Sequence, residues 1–77
     1  MNTSIQYALD FKDYLLPLRA LEKSFRIAGL NIEFDAFVND GMRLIGIIYD
    51  GKPKNCISIE GDSPAQAVKD VAAAVRL

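Results

Sequence analysis

Apolar positions along the chain change rhythm twice. Through residues 4–28, Tyr7, Phe11, Tyr14, Leu18, Leu21, Phe25 and Ala28 recur at spacings of four and three, the repeat of one face of an α-helix. Thr3 and Gln6 fit a capping box at its start. Gly29 and Leu30 fit a C′ glycine with its hydrophobic companion at its end. Pro17 falls inside the repeat and removes one backbone donor, so the segment is expected as one kinked helix or as two helices meeting near Leu16. Residues 4–11 carry a second pattern as well. Ile5, Tyr7, Leu9 and Phe11 alternate as a strand would, and both readings stand for that stretch.

From Asn31 the period becomes two. Ile32, Phe34, Ala36 and Val38 alternate with Glu33, Asp35, Phe37 and Asn39, which predicts a strand buried on one face. Asn39-Asp40-Gly41 is turn chemistry. The next strand, Arg43 to Tyr49, is apolar on both faces. Asp50 to Asn55 is expected as a longer loop, since Pro53 cannot donate to a ladder. A third strand follows from Cys56 to Glu60, with Ile57 and Ile59 as its core pair.

Helical spacing returns after Ser63. Ser63 reads as the N-cap, Pro64 as N1 and Gln66 as the box partner at N3, with Ala65, Val68, Val71, Ala72 and Val75 as the apolar stripe. The predicted architecture is α+β: α-β-β-β-α, a three-stranded antiparallel meander with both helices on one face. One domain is expected over residues 1–77, which carry no repeats or linkers.

Composition narrows the function classes. Half the residues are apolar, enough to argue for a packed core. A formal net charge of −1 gives no bulk attraction to nucleic acid or anionic lipid. Cys56 is the single cysteine, so no intramolecular disulfide is available. Asp10, Lys12 and Asp13 interrupt any signal-like apolar run, and no stretch approaches the roughly 20 apolar residues of a membrane span. A soluble, cytoplasmic protein is the expectation.

The order of elements, together with the closing segment Ser63 to Leu77 and its Ala72-Ala73-Ala74 run, resembles the double-stranded RNA-binding domain. The resemblance implies the fold but carries no RNA-contacting residues. Pro64, Ala65 and Gln66 stand where that family has lysines, and Asn39 to Met42 lacks its Gly-Pro and histidine. In size and in lacking catalytic motifs, the chain is similar to small phage-encoded inhibitors such as anti-CRISPR proteins.

Catalysis is poorly supplied. The chain has no histidine, the commonest general base. Cys56 is expected to be a buried, inert thiol, and Gly61-Asp62-Ser63 is accounted for by helix capping. Neither an enzyme nor a cofactor or metal site is expected. The open face of the sheet is the stronger candidate. A two-residue Asp40-Gly41 turn sets Leu44 opposite Phe37 and Ile48 opposite Glu33, with Met42, Leu44 and Ile48 outward; a three-residue turn would turn Ile45, Ile47 and Tyr49 outward instead. Either register leaves large apolar side chains rimmed by Glu33, Asp35 and Glu60, which marks an interaction surface unless the N-terminal segment or first helix covers it. The expected protein-binding residues are Glu33, Asp35, Phe37, Leu44, Ile48 and Glu60. The partner is another protein or a second copy in a homodimer. The alternative is a nucleic-acid surface on the first helix, where Lys12, Arg19, Lys23 and Arg26 share a face and Lys52 and Lys54 could assist.

Overall fold

The computed structural model describes residues 11–76 and contains helix α1 (Lys12–Ile27), strands β1 (Ile32–Asn39), β2 (Met42–Tyr49) and β3 (Lys52–Ser58), and helix α2 (Pro64–Val75). The expected α-β-β-β-α order is therefore present. The strands form one antiparallel sheet in the order β1-β2-β3, with both helices on one face of it. The Thr3–Gln6 cap and the helix-or-strand choice before Phe11 lie outside the described residues.

Helix α1 runs through Pro17 as a single element. It buries Tyr14 and Leu18, with Leu21 and Phe25 half-buried, so the heptad stripe faces the sheet. Its end is a Schellman arrangement. The Gly29 N–H donates to the Arg26 carbonyl at 3.0 Å, and the Leu30 N–H to the Phe25 carbonyl at 2.9 Å. Tyr14 also ties α1 to the approach to α2, its hydroxyl donating to the Asp62 carbonyl at 2.6 Å.

Both hairpins are closed by Asp-Gly. Asp40 and Gly41 have φ of 53° and 74°, and Asp50 and Gly51 have φ of 52° and 79°. Positive φ at both central residues is the signature of the type I′ turn, whose twist matches the flanking strands. The long loop expected from Asp50 to Asn55 is thus a tight turn, and β3 begins at Lys52. Pro53 sits in the ladder opposite Ile48. It is tolerated because β3 is an edge strand and the register shifts there between Ile47 and Ile48. Ile47 pairs with Asn55 and Ile48 with Pro53, which leaves Lys54 as the extra residue of a bulge.

The core lies between sheet and helices. Phe11, Leu18, Ile32, Ile45, Ile47, Ile59 and Val71 are its largest fully buried side chains, each worth about 1.5–3 kcal/mol of transfer free energy. On α2 the inward stripe is Ala67, Val71, Ala74 and Val75, with Val68 half-buried at its edge. Ala65 faces outward, a correction to the expected stripe. Ser63 caps α2 as expected, its Oγ accepting from the Gln66 N–H at 3.2 Å. Gln66 does not complete a box, because its amide donates to Asp70 at 2.9 Å instead.

Candidate functional site: a groove across the open sheet face

The hairpin turn determines which side chains leave the core. Asp40-Gly41 is a two-residue connection, so Phe37 pairs with Leu44 and Glu33 with Ile48. Ile45 and Ile47 consequently point inward, and Phe37, Leu44 and Ile48 point away from both helices. All three outward residues are half-buried among their neighbours on the sheet.

Three rows of residues cross this face. The middle row is Asp35, Gly46 and Cys56, paired across the three strands. One flanking row is Phe37, Leu44 and Ser58; the other is Glu33, Ile48 and Pro53. Gly46 has no side chain, so the middle row is low and the flanking rows stand as walls. The result is a groove of about 360 Å³, with Asp35 at one end, Cys56 at the other and Phe37, Ile48 and Pro53 along its sides. Lys54 contributes stem to the rim. Its ammonium turns to the helical side, donating to the Val75 carbonyl at 3.1 Å and lying 5.9 Å from the Tyr49 ring centroid.

Cys56 is exposed, a correction to the expected buried thiol. The alternation that turns Ile57 inward turns Cys56 out.

Of the six expected face residues, the structure brings Asp35, Phe37 and Ile48 together in the groove lining. Leu44 and Glu33 stand beside it in the flanking rows. Glu60 is held apart, past the end of β3, where its carboxylate accepts from the Arg43 backbone N–H at 2.6 Å and from Arg43 Nε at 3.2 Å. The N–H contact above all, then the guanidinium's hydrogen bond and charge, holds the Glu60 carboxyl below the usual carboxylate range. Sequence reasoning missed Gly46, Pro53 and Cys56. The signal for Gly46 was available: a glycine in mid-strand often marks a close approach of another group.

On the basic stripe of α1, Lys12, Lys23 and Arg26 are exposed. Arg19 is committed within the fold: its Nη1 donates to Glu22 at 2.7 Å and to the Phe34 carbonyl at 3.2 Å. The same helix presents Leu16 and Ile27 to solvent, each 79% exposed. Among the described residues, no group of three or more His, Cys, Asp or Glu side chains is placed to hold a metal. No described helix is long and apolar enough to cross a membrane.

No family model, no curated protein and no solved structure matches this chain.

Proposed function

We propose that this chain is a protein-binding module without catalytic chemistry, a small regulator or inhibitor that engages its partner through the open sheet face. The observation that carries the reading is the groove floored by Gly46 and walled by Phe37, Ile48 and Pro53. Contiguous apolar surface with a polar rim is the usual mark of an interaction site, and a pocket of this kind seats the anchoring side chain of a partner. The absence of histidine from the sequence is consistent with binding rather than acid–base chemistry. Small inhibitors encoded by phages, anti-CRISPR proteins among them, are one class of protein that this description fits.

The test compares binding by wild type, Phe37→Asp and Lys69→Glu, a change at an exposed position of α2, using affinity capture followed by titration of the purified captured protein. Capture that is lost in Phe37→Asp, retained in Lys69→Glu, and shifts the Leu44 and Ile48 methyl resonances supports the reading. Capture that is indifferent to Phe37→Asp rejects it.

The second reading is a nucleic-acid module of double-stranded-RNA-binding-like topology that uses the exposed cations Lys12, Lys23 and Arg26. Arg19 adds less to it than its position suggests, because its guanidinium is spent on Glu22 and Phe34. Steeply salt-dependent duplex binding, lost on charge reversal at Lys23 and Arg26, is its expected signature.

A further inference from the structure

The open face carries acidic groups and the outer face of α1 carries cations. Among the outward positions of the three strands, the charged residues are Glu33 and Asp35, and neither is in an ion pair among the described residues. The groove therefore combines an apolar floor and walls with an acidic rim on the β1 side. Opposite the core, α1 offers the reverse. On a helix turning about 100° per residue, Leu16, Lys23 and Ile27 fall within about 40° of one another. Lys12, Arg19 and Arg26 follow along one flank of that stripe. Leu16 and Ile27, both 79% exposed, are thus an apolar pair edged by cations.

The spacings are comparable. Eleven residues of helix put Leu16 and Ile27 about 16 Å apart. Along β2, Gly46 and Met42 are about 13 Å apart at strand rise, with Leu44 between them and Met42 45% exposed. One member of the helical pair can enter the groove while the other rests toward Met42.

We propose that the occupant of the groove is a second copy of this chain, docked through the outer face of its α1, with Lys23 and Arg26 against Glu33 and Asp35. This rests on the reading of the open face as the docking surface and names its partner. The two surfaces lie on opposite sides of the molecule, since α1 covers one face of the sheet and the groove crosses the other. The contact is consequently heterologous, head to tail, and adds a helix layer to the bare side of each sheet. Two open faces meeting about a two-fold axis would instead bring acidic rims together with no cation from either face.

The experiment uses the purified full chain and two double variants: Lys23→Glu with Arg26→Glu, which spoils the helix face, and Glu33→Lys with Asp35→Lys, which spoils the groove rim. Circular dichroism first establishes that both fold. Light scattering across a concentration range should show wild-type mass rising with concentration, more at low salt than at high. Each variant alone should associate more weakly by on the order of tenfold or more, because reversal makes like-charge contacts. Mixed, the two variants pair opposite charges at both kinds of junction, unaltered helix on unaltered rim and reversed helix on reversed rim, and should associate more strongly than either does alone. Leu16→Asp gives an independent break of the helix face and should behave as the first variant does.

A wild type that stays monomeric throughout overturns the proposal, as does a mixture that associates no more strongly than either variant alone. A helix-face variant that self-associates like wild type also overturns it and points to pairing of open faces. None of these three results touches the docking-face reading, which is tested separately by changes at Phe37 and Gly46.

Discussion

The carboxylate of Glu22 in α1 accepts the backbone N–H of Phe34 in β1 at 2.7 Å. The same oxygen receives Arg19 Nη1 at 2.7 Å, and that nitrogen also donates to the Phe34 carbonyl at 3.2 Å. β1 is an edge strand, and at Phe34 both of its outward backbone groups are satisfied by this side-chain pair. Glu22 and Arg19 together present the acceptor and donor that a neighbouring strand would present. A long bare edge recruits foreign strands, and the pair blocks β1 at this point. The other edge, β3, is blunted by Pro53, Lys52, Lys54 and a bulge.

Glu22 is buried, at 7% exposure, so removing it strands a strand-edge N–H and one guanidinium. Glu22→Ala is expected to cost about 2 kcal/mol, in the range of hydrogen bonds to charged groups. Arg19 is more exposed, with 55% of its side chain accessible. Arg19→Ala should therefore cost under about 1 kcal/mol after solvent screening. Urea melts of the two variants check the order; equal losses would mean that Glu22 contributes only through its ion pair.

The second hairpin offers a test of its own. Gly51 has φ of 79° with open space where a Cβ would stand, so a side chain there meets no neighbour but is held in the left-handed region. Gly51→Ala is expected to destabilise by about 1–2 kcal/mol, measurable by thermal melting. Gly51→Asn, which tolerates that region better, should recover part of the loss.

That hairpin also shows where sequence reading stopped. Asp40-Gly41 flanked by alternating apolar residues predicts the hairpin and the outward place of Phe37 but leaves two registers of β1 on β2 open, and it is the two-residue turn of the structure that turns Leu44 and Ile48 outward. Asp50-Gly51 carries the same dipeptide, but Pro53 two residues later argues against a strand on local grounds. It is an edge position beside a bulge that makes the proline acceptable, and edges are a property of the assembled sheet. Glu22 was illegible for a similar reason: its partner is a backbone group twelve residues away, with no side-chain signature. The groove was half legible. Its Phe37 wall follows from period two, while the Ile48 wall depends on the register, the Pro53 wall on a strand that the proline argued against, and the floor on Asp35, Gly46 and Cys56 lining up across three strands.

Two carboxyls predict opposite pH behaviour. Glu60 is held low by Arg43, its backbone N–H first. Its contribution is therefore present above the ordinary carboxylate range and lost as pH falls through the depressed folded value. Asp62 is held high, first by a hydrogen bond shared with Asp70, then by desolvation and the Asp70 charge. Its contribution is present at acid pH, below the unfolded value, and lost as pH rises through the raised folded value. In melts from neutral to acid pH, Glu60→Gln should start below wild type in melting temperature and converge with it on acidification. Asp62→Asn should start above wild type at neutral pH, and that advantage should shrink as pH falls. Parallel curves at all pH values would show that neither carboxyl is linked to folding.

Gly46 allows the groove to be filled without cutting into the core. A Cβ there would meet Phe37 Cε1 at 3.3 Å and the Asp35 carbonyl oxygen at 3.6 Å. The first contact is tight, but the Phe37 ring is only half-buried and can swing by a few tenths of an ångström. No positive φ is imposed at Gly46, and glycine in a strand is itself a weak choice. Gly46→Ala is accordingly expected to leave stability within about 1 kcal/mol of wild type. Gly46→Val places two further methyls in the space between Phe37 and Ile48, raising the floor between the groove walls. The variant should fold, give a circular dichroism spectrum like that of wild type, and lose partner binding or self-association by about tenfold or more, as blocking an anchoring pocket does. Phe37→Ala tests the same surface from the other direction, by removing a wall while leaving the floor open. If Gly46→Val folds and binds like wild type, the anchor does not enter between Phe37 and Ile48, and the docking surface lies elsewhere on the molecule.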